Sequence, residues 1–239
     1  MSILDEYPWT SETRDLLRKV AEIPRQTKVI MILRHSHRGE PSRLGMINDI
    51  PLTEEGRLVA REFGTSLPEG RNYRIFYSEI ERCKDTAQLI AEGLNEKGIN
   101  LETIEPSGIL KGMAGVGSEI EKLTHRDKHE AILKWAAGHY PETIIEPLHS
   151  YAQRAANVIW SSHQQAAPST IDICISHDFH IMALQFGWFG EWMHDEWVDY
   201  LGGFLMQLEA DRLIFYKNGR IKSIPYPFWW PMQNLEIKD

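Results

Sequence analysis

Short apolar runs and longer amphipathic stretches follow one another along most of the chain. The apolar runs at 28–33 and 171–175 predict strands that are covered on both faces, as in a parallel sheet. Two further short strands are predicted at 73–77 and 99–104. The amphipathic stretches predict helices at 9–23, from Thr53 to the exit at 68–69, and at 80–97, 118–137, 149–165 and 179–188.

This order of elements predicts an α/β protein, a three-layer α/β/α sandwich with a mostly parallel central sheet. Two runs, 204–209 and 213–217, flank a polar turn and predict a hairpin at the sheet edge. The tail beyond Gly219 is expected to lie over the surface. We interpret residues 1–27 as an N-terminal helical extension and 28–239 as a single domain. Residues 106–150, which mix glycines and prolines with one helical stretch, are expected to form an inserted lid region.

Composition and charge narrow the class of protein. The chain has 239 residues, of which 42% are hydrophobic and 25% charged, as in an ordinary globular protein. Its net charge is −8, so we expect neither nucleic acid nor a membrane surface as partner. There is no signal-like start and no apolar run of about 18 residues. The two cysteines, Cys83 and Cys174, are far apart, which favours a reducing cytoplasm over a disulfide framework.

The first candidate functional residues directly follow the first predicted strand, and they are Arg34-His35-Ser36-His37-Arg38. Guanidinium groups match phosphate oxygens in a bidentate fashion, and a neutral imidazole between them could attack phosphorus. A solvated basic loop would also explain so short a pattern. Ligands of open α/β sheets bind outside the carboxyl ends of the strands, and this motif lies at the carboxyl end of a predicted strand.

Two more strands end in polar residues. Arg82 falls in the first turn of the helix after the strand 73–77, where a cation opposes the helix dipole and an anion would offset it. Glu79 and Glu81 could instead pair with it. The strand 171–175 ends in Ser176, then His177 and Asp178, an imidazole beside a carboxylate. Each of these could be an ordinary surface residue taken alone.

Taken together, four motifs in order resemble the histidine phosphatase superfamily, which contains phosphoglycerate mutases and histidine acid phosphatases. The matching stretches span about residues 28–218, and they are ArgHisSerHisArg at 34–38, LeuThrGluGluGly at 52–56, SerGluIleGluArgCysLysAspThrAla at 78–87 and SerHisAsp at 176–178. The resemblance implies a phosphoglycerate mutase-like fold. It also implies a phosphoryl group held at the strand ends without a metal or other cofactor.

The resemblance further implies roles for individual residues. His35 would attack the phosphoryl group and become a phosphohistidine. The oxygens of that group would be held by four residues, Arg34, Arg38, Arg82 and His177. Neutral His35 is required for attack, so activity should fall when it is protonated at low pH.

The leaving oxygen needs a proton, and the two branches of the superfamily supply it differently. In the mutase-like branch the acid is a glutamate after the third arginine, but Glu102, Glu105 and Glu119 do not align convincingly. In the acid phosphatase branch an aspartate follows the second histidine directly, as Asp178 does. We therefore predict Asp178 as general acid, although that branch is commonly exported and disulfide-bonded.

For several other residues the sequence allows both a functional and a structural interpretation. Ser36 replaces the usual glycine of the family and would crowd the phosphate pocket slightly. His37 makes a His-x-His pair with His35, but no third ligand for a metal is evident. His125 and His129 are four apart on a predicted helix, where a solvated charged face is the simpler interpretation. The aromatic residues at 188–197 and the pair Trp229-Trp230 could line a substrate site, although packing is the more frequent role.

The leading hypothesis is a metal-independent phosphomonoester hydrolase acting on a small phosphorylated substrate. A phosphomutase needs the same pocket and is the near alternative. A non-catalytic phosphate- or phosphoprotein-binding module would explain the arginines but would not need the acid. The sequence does not name the substrate, and it leaves the oligomeric state open, a homo-oligomer included.

Overall fold

A computed structural model describes residues 2–39, 50–99, 101–112, 127–191 and 196–231. Seven strands form one sheet in the order β3-β2-β4-β1-β5-β6-β7. Their bounds are β1 Val29–Arg34, β2 Asn72–Tyr77, β3 Leu101–Pro106, β4 Thr170–Ser176, β5 Gly203–Leu208, β6 Arg212–Lys217 and β7 Arg220–Pro225.

The described helices are α1 Ser11–Glu22, α2 Glu54–Ser66, α3 Glu81–Glu96, α4 Gly108–Lys111, α5 Lys128–Ala136, α6 Leu148–Gln164 and α7 Asp178–Phe189. Two short 3-10 turns, Ile3–Asp5 and Pro8–Thr10, precede α1. Helix α2 begins after Thr53, whose side chain accepts a hydrogen bond from Gly56 N, so Thr53 is the cap that its sequence predicts. The first part of the helix predicted at 118–137 lies outside the described residues.

The sheet is mixed and mostly parallel, which confirms the predicted fold class. Strands β3, β2, β4 and β1 run parallel, and β5, β6 and β7 add antiparallel pairs beyond β1. The predicted hairpin is β5–β6, but it does not end the sheet. Residues 220–225, expected to lie over the surface, instead form the edge strand β7. Their side chains are exposed or half-buried, so they carry little apolar signal for a strand.

Helices cover both faces of the sheet. Along β1, Ile30 and Ile32 face a core built with α5, α6 and α7, whereas Val29, Met31 and Leu33 face a core built with α1, α2 and α3. This burial on both faces explains why β1 is apolar at five successive positions. Both cysteines are buried, and no disulfide joins them. In the described part of the chain, no helix has the length and apolar character needed to cross a membrane.

The N-terminal helix is fixed against the loop that leads into β5. Glu12 is buried on α1 and accepts a hydrogen bond from Asp199 N at 3.3 Å. The hydroxyl of Thr13 donates to Leu201 O at 3.3 Å. Gly202 permits this approach, because a Cβ there would lie 2.1 Å from a Glu12 carboxylate oxygen. The segment before β1 therefore positions residues 198–202.

Candidate active site

The register of the parallel strands brings two histidines together. Strands β1 and β4 are neighbours, and Arg34 pairs with Ser176 at the end of the ladder. The residues that follow each strand, His35 and His177, therefore leave the sheet side by side, with ring centres 5.5 Å apart. Both side chains are buried. The ends of β1 and β4 therefore lie side by side, as the sequence predicts.

Arg82 joins the two histidines. It lies in the first turn of α3, which follows β2 on the other side of β4. Its Nε donates to His35 Nε2 at 3.0 Å, and its Nη2 donates to His177 Nδ1 at 3.0 Å. A buried guanidinium thus touches both imidazoles at once.

The hydrogen bonds of His35 fix its tautomer. Nδ1 lies 2.8 Å from the carbonyl oxygen of Ser36, which can only accept, so Nδ1 carries the hydrogen. Nε2 then keeps its lone pair. Burial lowers the pKa of His35 well below its ordinary value, and the nearby charges of Arg82 and Arg34 act in the same direction. The imidazole is therefore neutral at pH 7 and has the protonation state of a nucleophile.

His177 holds Arg82 in place. Because Arg82 donates to Nδ1, the hydrogen of the neutral ring is on Nε2, which lies 3.0 Å from Ser78 Oγ. Burial and the Arg82 charge lower the pKa of His177 well below its ordinary value. In this arrangement His177 orients the guanidinium between the two rings.

Arg34 has one donor atom that lacks a partner among the described residues. Its Nη1 donates to Val198 O at 2.9 Å, and its Nη2 lies 3.1 Å from Asp178 Oδ2. Its Nε is buried and makes no hydrogen bond to any residue that the structure describes. The guanidinium also lies under the ring of Tyr200, 3.9 Å from the ring centre. A buried donor left unpaired is unfavourable, and an anion oxygen beside Arg34 would satisfy it.

Asp178 is ionised in this arrangement. Its Oδ2 accepts from Trp197 Nε1 at 2.8 Å in addition to the contact with Arg34, and its Oδ1 accepts from Phe179 N at 2.9 Å. Burial raises the pKa of Asp178, but the Arg34 charge and the Trp197 hydrogen bond outweigh it and hold the pKa well below its usual range. An ionised carboxylate must first accept a proton before it can act as a general acid.

Arg38 lies in the loop after β1 and is half-buried. Its Nη1 donates to Gly39 O at 2.8 Å. Burial lowers the pKa of Arg82, and the charge of Arg38 contributes to this shift, followed by that of Arg34. Arg38 is thus close enough to Arg82 to add to the positive field, and it belongs to the site by charge.

The remaining motif residues hold the loop that carries His35. Ser36 N donates to Thr86 Oγ1 at 3.0 Å, and Ser36 Oγ donates to Gly56 O at 2.7 Å. The Ser36 side chain, expected to crowd a phosphate, is thus engaged with helix α2. A Cβ on Gly56 would lie 2.2 Å from His37 O, so only glycine permits this approach. The motifs at 52–56 and 78–87 therefore support the loop as well as contributing Arg82.

The other residues with a possible functional role in the sequence lie in different parts of the structure. His37 Nδ1 lies 2.9 Å from Thr53 Oγ1, and His129 packs edge-on against Trp197. Across the described ranges, no three His, Cys, Asp or Glu side chains are placed to hold a metal. Glu102 and Glu105 are exposed on β3, while His125 and Glu119 lie outside the described residues.

The aromatic residues divide between packing and the site. Trp188 and Trp230 are buried in the core, each 2% exposed, so packing is the correct interpretation for these two. Trp197, from the same sequence run, contacts Asp178 instead. Trp9 and Tyr200 also lie at the site, although no motif in the sequence points to them. They are about 190 positions apart along the chain, and no local pattern links them.

Fold and site together define an α/β protein with a neutral, buried histidine in an arginine-rich pocket. The family model described as histidine phosphatase superfamily (branch 1) matches residues 30–199. The chain therefore belongs to the histidine phosphatase superfamily. A search of curated proteins finds no match.

Solved structures share the fold at low sequence identity. YhfR from Bacillus stearothermophilus is 16% identical with a TM-score of 0.58, over 82% of this chain and 98% of that one. A mycobacterial glucosyl-3-phosphoglycerate phosphatase in complex with VO3 is 14% identical with a TM-score of 0.54, over 83% and 98%. A phosphoserine phosphatase from Entamoeba histolytica is 17% identical with a TM-score of 0.54, over 81% and 98%.

Proposed function

We propose that this protein is a phosphomonoester hydrolase that acts on a small phosphorylated substrate through a phosphohistidine on His35. The observation that carries the proposal is the lone pair of His35 Nε2, fixed by the Ser36 carbonyl and facing the Arg82 guanidinium. In the resting structure that lone pair accepts a hydrogen bond from Arg82 Nε. A phosphoryl oxygen bound between Arg34 and Arg82 would take over this donor, which frees the lone pair to attack phosphorus. Two of the proteins with this fold are named as phosphatases.

Fixed positive charge supplies the transition-state stabilisation. Arg82 donates to His35, the charge of Arg34 acts on His35, and the charge of Arg38 acts on Arg82. The Nε of Arg34, which has no hydrogen-bond partner among the described residues, is a donor for a phosphoryl oxygen. Phosphoryl transfer depends mainly on positioning and electrostatic stabilisation of the transferring oxygens. Arginines in a buried site provide both, so the proposed reaction requires no metal.

The reaction has two steps. His35 Nε2 attacks phosphorus, the ester P–O bond breaks, and Asp178 gives a proton to the leaving oxygen. Water then attacks the phosphorus of the phosphohistidine, the P–N bond breaks, and the Asp178 carboxylate takes a proton from that water. The Asp178 carboxyl then passes that proton to the product phosphate before it leaves. The products are the alcohol and monobasic inorganic phosphate, His35 is neutral again and Asp178 is again ionised.

The proton on Asp178 has to arrive with the substrate. Asp178 is ionised in the resting protein, because Arg34 and Trp197 stabilise its carboxylate. A phosphate monoester has a second pKa of about 6, so its monoanion carries a proton at mildly acidic pH. When the phosphoryl oxygens draw Arg34 away from Asp178, the carboxylate becomes more basic and can take that proton.

A rapid-quench experiment with a labelled aryl phosphate tests the proposal. EDTA is present throughout, and His35→Ala is the control. We expect label on the protein that is labile in acid, stable in base and absent from the variant. Because phosphate also binds to the arginines, His35→Ala should retain part of its affinity for inorganic phosphate.

Other outcomes would assign other functions. Turnover by His35→Ala above about one hundredth of the wild-type rate, well outside the ~10⁶-fold loss typical of a deleted nucleophile, would remove His35 from the nucleophile role. Label without release of phosphate, passed instead to an added alcohol, would indicate a mutase. Phosphate binding with neither label nor turnover would indicate a binding module.

A further inference from the structure

An aromatic cluster borders the proposed phosphoryl site. Trp9, His37 and Tyr200 are each half-buried. The Trp9 and His37 rings are stacked with centres 5.2 Å apart, and Tyr200 meets both edge-on, at 6.1 Å from Trp9 and 4.7 Å from His37. The Tyr200 ring centre is 5.8 Å from that of His35. We refer to these three residues as the aromatic wall.

The aromatic wall is fixed rather than loosely attached. Tyr200 rests on the Arg34 guanidinium, and its loop is held by α1 through Glu12 and Thr13. His37 is held by its contact with Thr53 Oγ1. Trp9 is also stacked on Tyr7 at 5.6 Å, so its position is supported from the N-terminal side. A preorganised surface of this kind binds a flat ligand with little ordering cost.

The place of the wall indicates which part of a substrate would reach it. The phosphoryl group would lie at His35 and Arg34, so the leaving group lies one ester oxygen beyond them. Aromatic rings interact favourably when their centres are about 4.5–7 Å apart, and Tyr200 lies within this range of His35. A flat leaving group that extends from the phosphoryl group toward Tyr200 would contact Tyr200 and His37, and Trp9 supports His37 from behind.

We propose that Trp9, His37 and Tyr200 form a leaving-group subsite for phosphomonoesters whose phosphate is esterified to an aromatic or heteroaromatic ring. The inference rests on the proposed hydrolase function and specifies its substrate class. It also makes the N-terminal segment, through Trp9, a part of the substrate site.

Two substrates of matched leaving-group acidity test the subsite: phenyl phosphate and a fluorinated alkyl phosphate. Trp9→Leu removes the ring on which His37 is stacked, so it should lower kcat/KM for phenyl phosphate about threefold to tenfold, the effect of one lost aromatic pair, and change the value for the alkyl phosphate less than about twofold. Trp9→Phe should restore most of the loss. Phe228→Leu is the matched control, since Phe228 is 80% exposed.

Equal losses on both substrates would overturn the proposal, because they would make Trp9 a structural support of the loop. Unchanged values on both would overturn it as well. A binding measurement separates the subsite from the chemistry, with phenylphosphonate and methylphosphonate as non-hydrolysed probes. If turnover is absent but the wild type prefers phenylphosphonate in a Trp9-dependent way, the subsite stands and the hydrolase proposal fails.

Discussion

Replacing Asp178 with asparagine tests the proton transfer at the centre of the proposed mechanism. The change keeps the size of the side chain and leaves an oxygen that can still accept from Trp197 Nε1. It removes the negative charge beside Arg34 Nη2 and the only group that we propose as acid. The substitution therefore separates proton donation from the shape of the site.

The free-energy cost of protonating Asp178 depends on the contacts of its carboxylate. Moving a proton from a phosphate monoester, with a pKa of about 6, to an ordinary aspartate, with a pKa of about 3.9, costs about 3 kcal/mol at about 1.36 kcal/mol per unit. The ion pair with Arg34 makes this transfer harder until the phosphoryl group takes that guanidinium. General acid catalysis is typically worth ~10²–10⁴-fold. We expect Asp178→Asn to slow alkyl phosphates by that factor.

The assay compares kcat/KM across phosphates with leaving groups of graded acidity. Aryl phosphates with acidic leaving groups need little protonation, so Asp178→Asn should slow them much less. For wild type acting on alkyl phosphates, kcat/KM should fall as the pH rises above about 6, where the substrate monoanion is lost. That dependence should be absent in the variant. Inorganic phosphate should stabilise Asp178→Asn more than the wild type, since Arg34 is released.

A surface carboxylate provides the control. Asp85 forms an exposed pair with Arg57 at 3.4 Å, and Asp85→Asn should behave as wild type in every assay. Equal slowing of alkyl and aryl substrates by Asp178→Asn would refute the reasoning, because it would mean that Asp178 serves structure or substrate positioning. A leaving-group dependence identical to that of the wild type would refute it too.

Two further predictions concern stability. Burial lowers the pKa of His180 from 6.5 to about 4. Between these two pH values the unfolded chain therefore binds more protons than the folded chain. Through His180, acidification across this range should lower the free energy of unfolding by about 3 kcal/mol, measured by urea denaturation. The buried His35 and His177 add to the same dependence, so His180→Gln should reduce its slope without abolishing it. The exposed His139→Gln should not change the slope, and equal slopes in all three proteins would contradict the assignment. Gly56→Ala places a Cβ 2.2 Å from His37 O, and we expect a loss of about 1–3 kcal/mol with reduced kcat/KM. Gly108→Ala, where a Cβ meets nothing within 4 Å, should be near neutral, and a neutral Gly56→Ala would show that α2 can shift freely.

Most of the fold was predictable because burial leaves a local pattern. Strand β1 is apolar at five successive positions since both of its faces are covered, and α2 begins where its capping threonine predicts. Strand β7 was missed for the opposite reason. Its side chains are exposed or half-buried at the edge of the sheet, so pairing with β6 rather than burial makes it a strand.

The sequence by itself determined the set of chemical groups: His35 and His177 after buried strands, Arg82 in a first helical turn, and the motifs that join them. The tertiary structure decided their states. The Ser36 carbonyl selects the tautomer of His35, and Arg34 with Trp197 ionises the residue predicted as general acid. It also decided that Trp9 borders His37. Periodicity and strand order record which face a residue buries, whereas protonation and ring contacts depend on partners distant in the chain, which only the folded structure brings within a few ångströms.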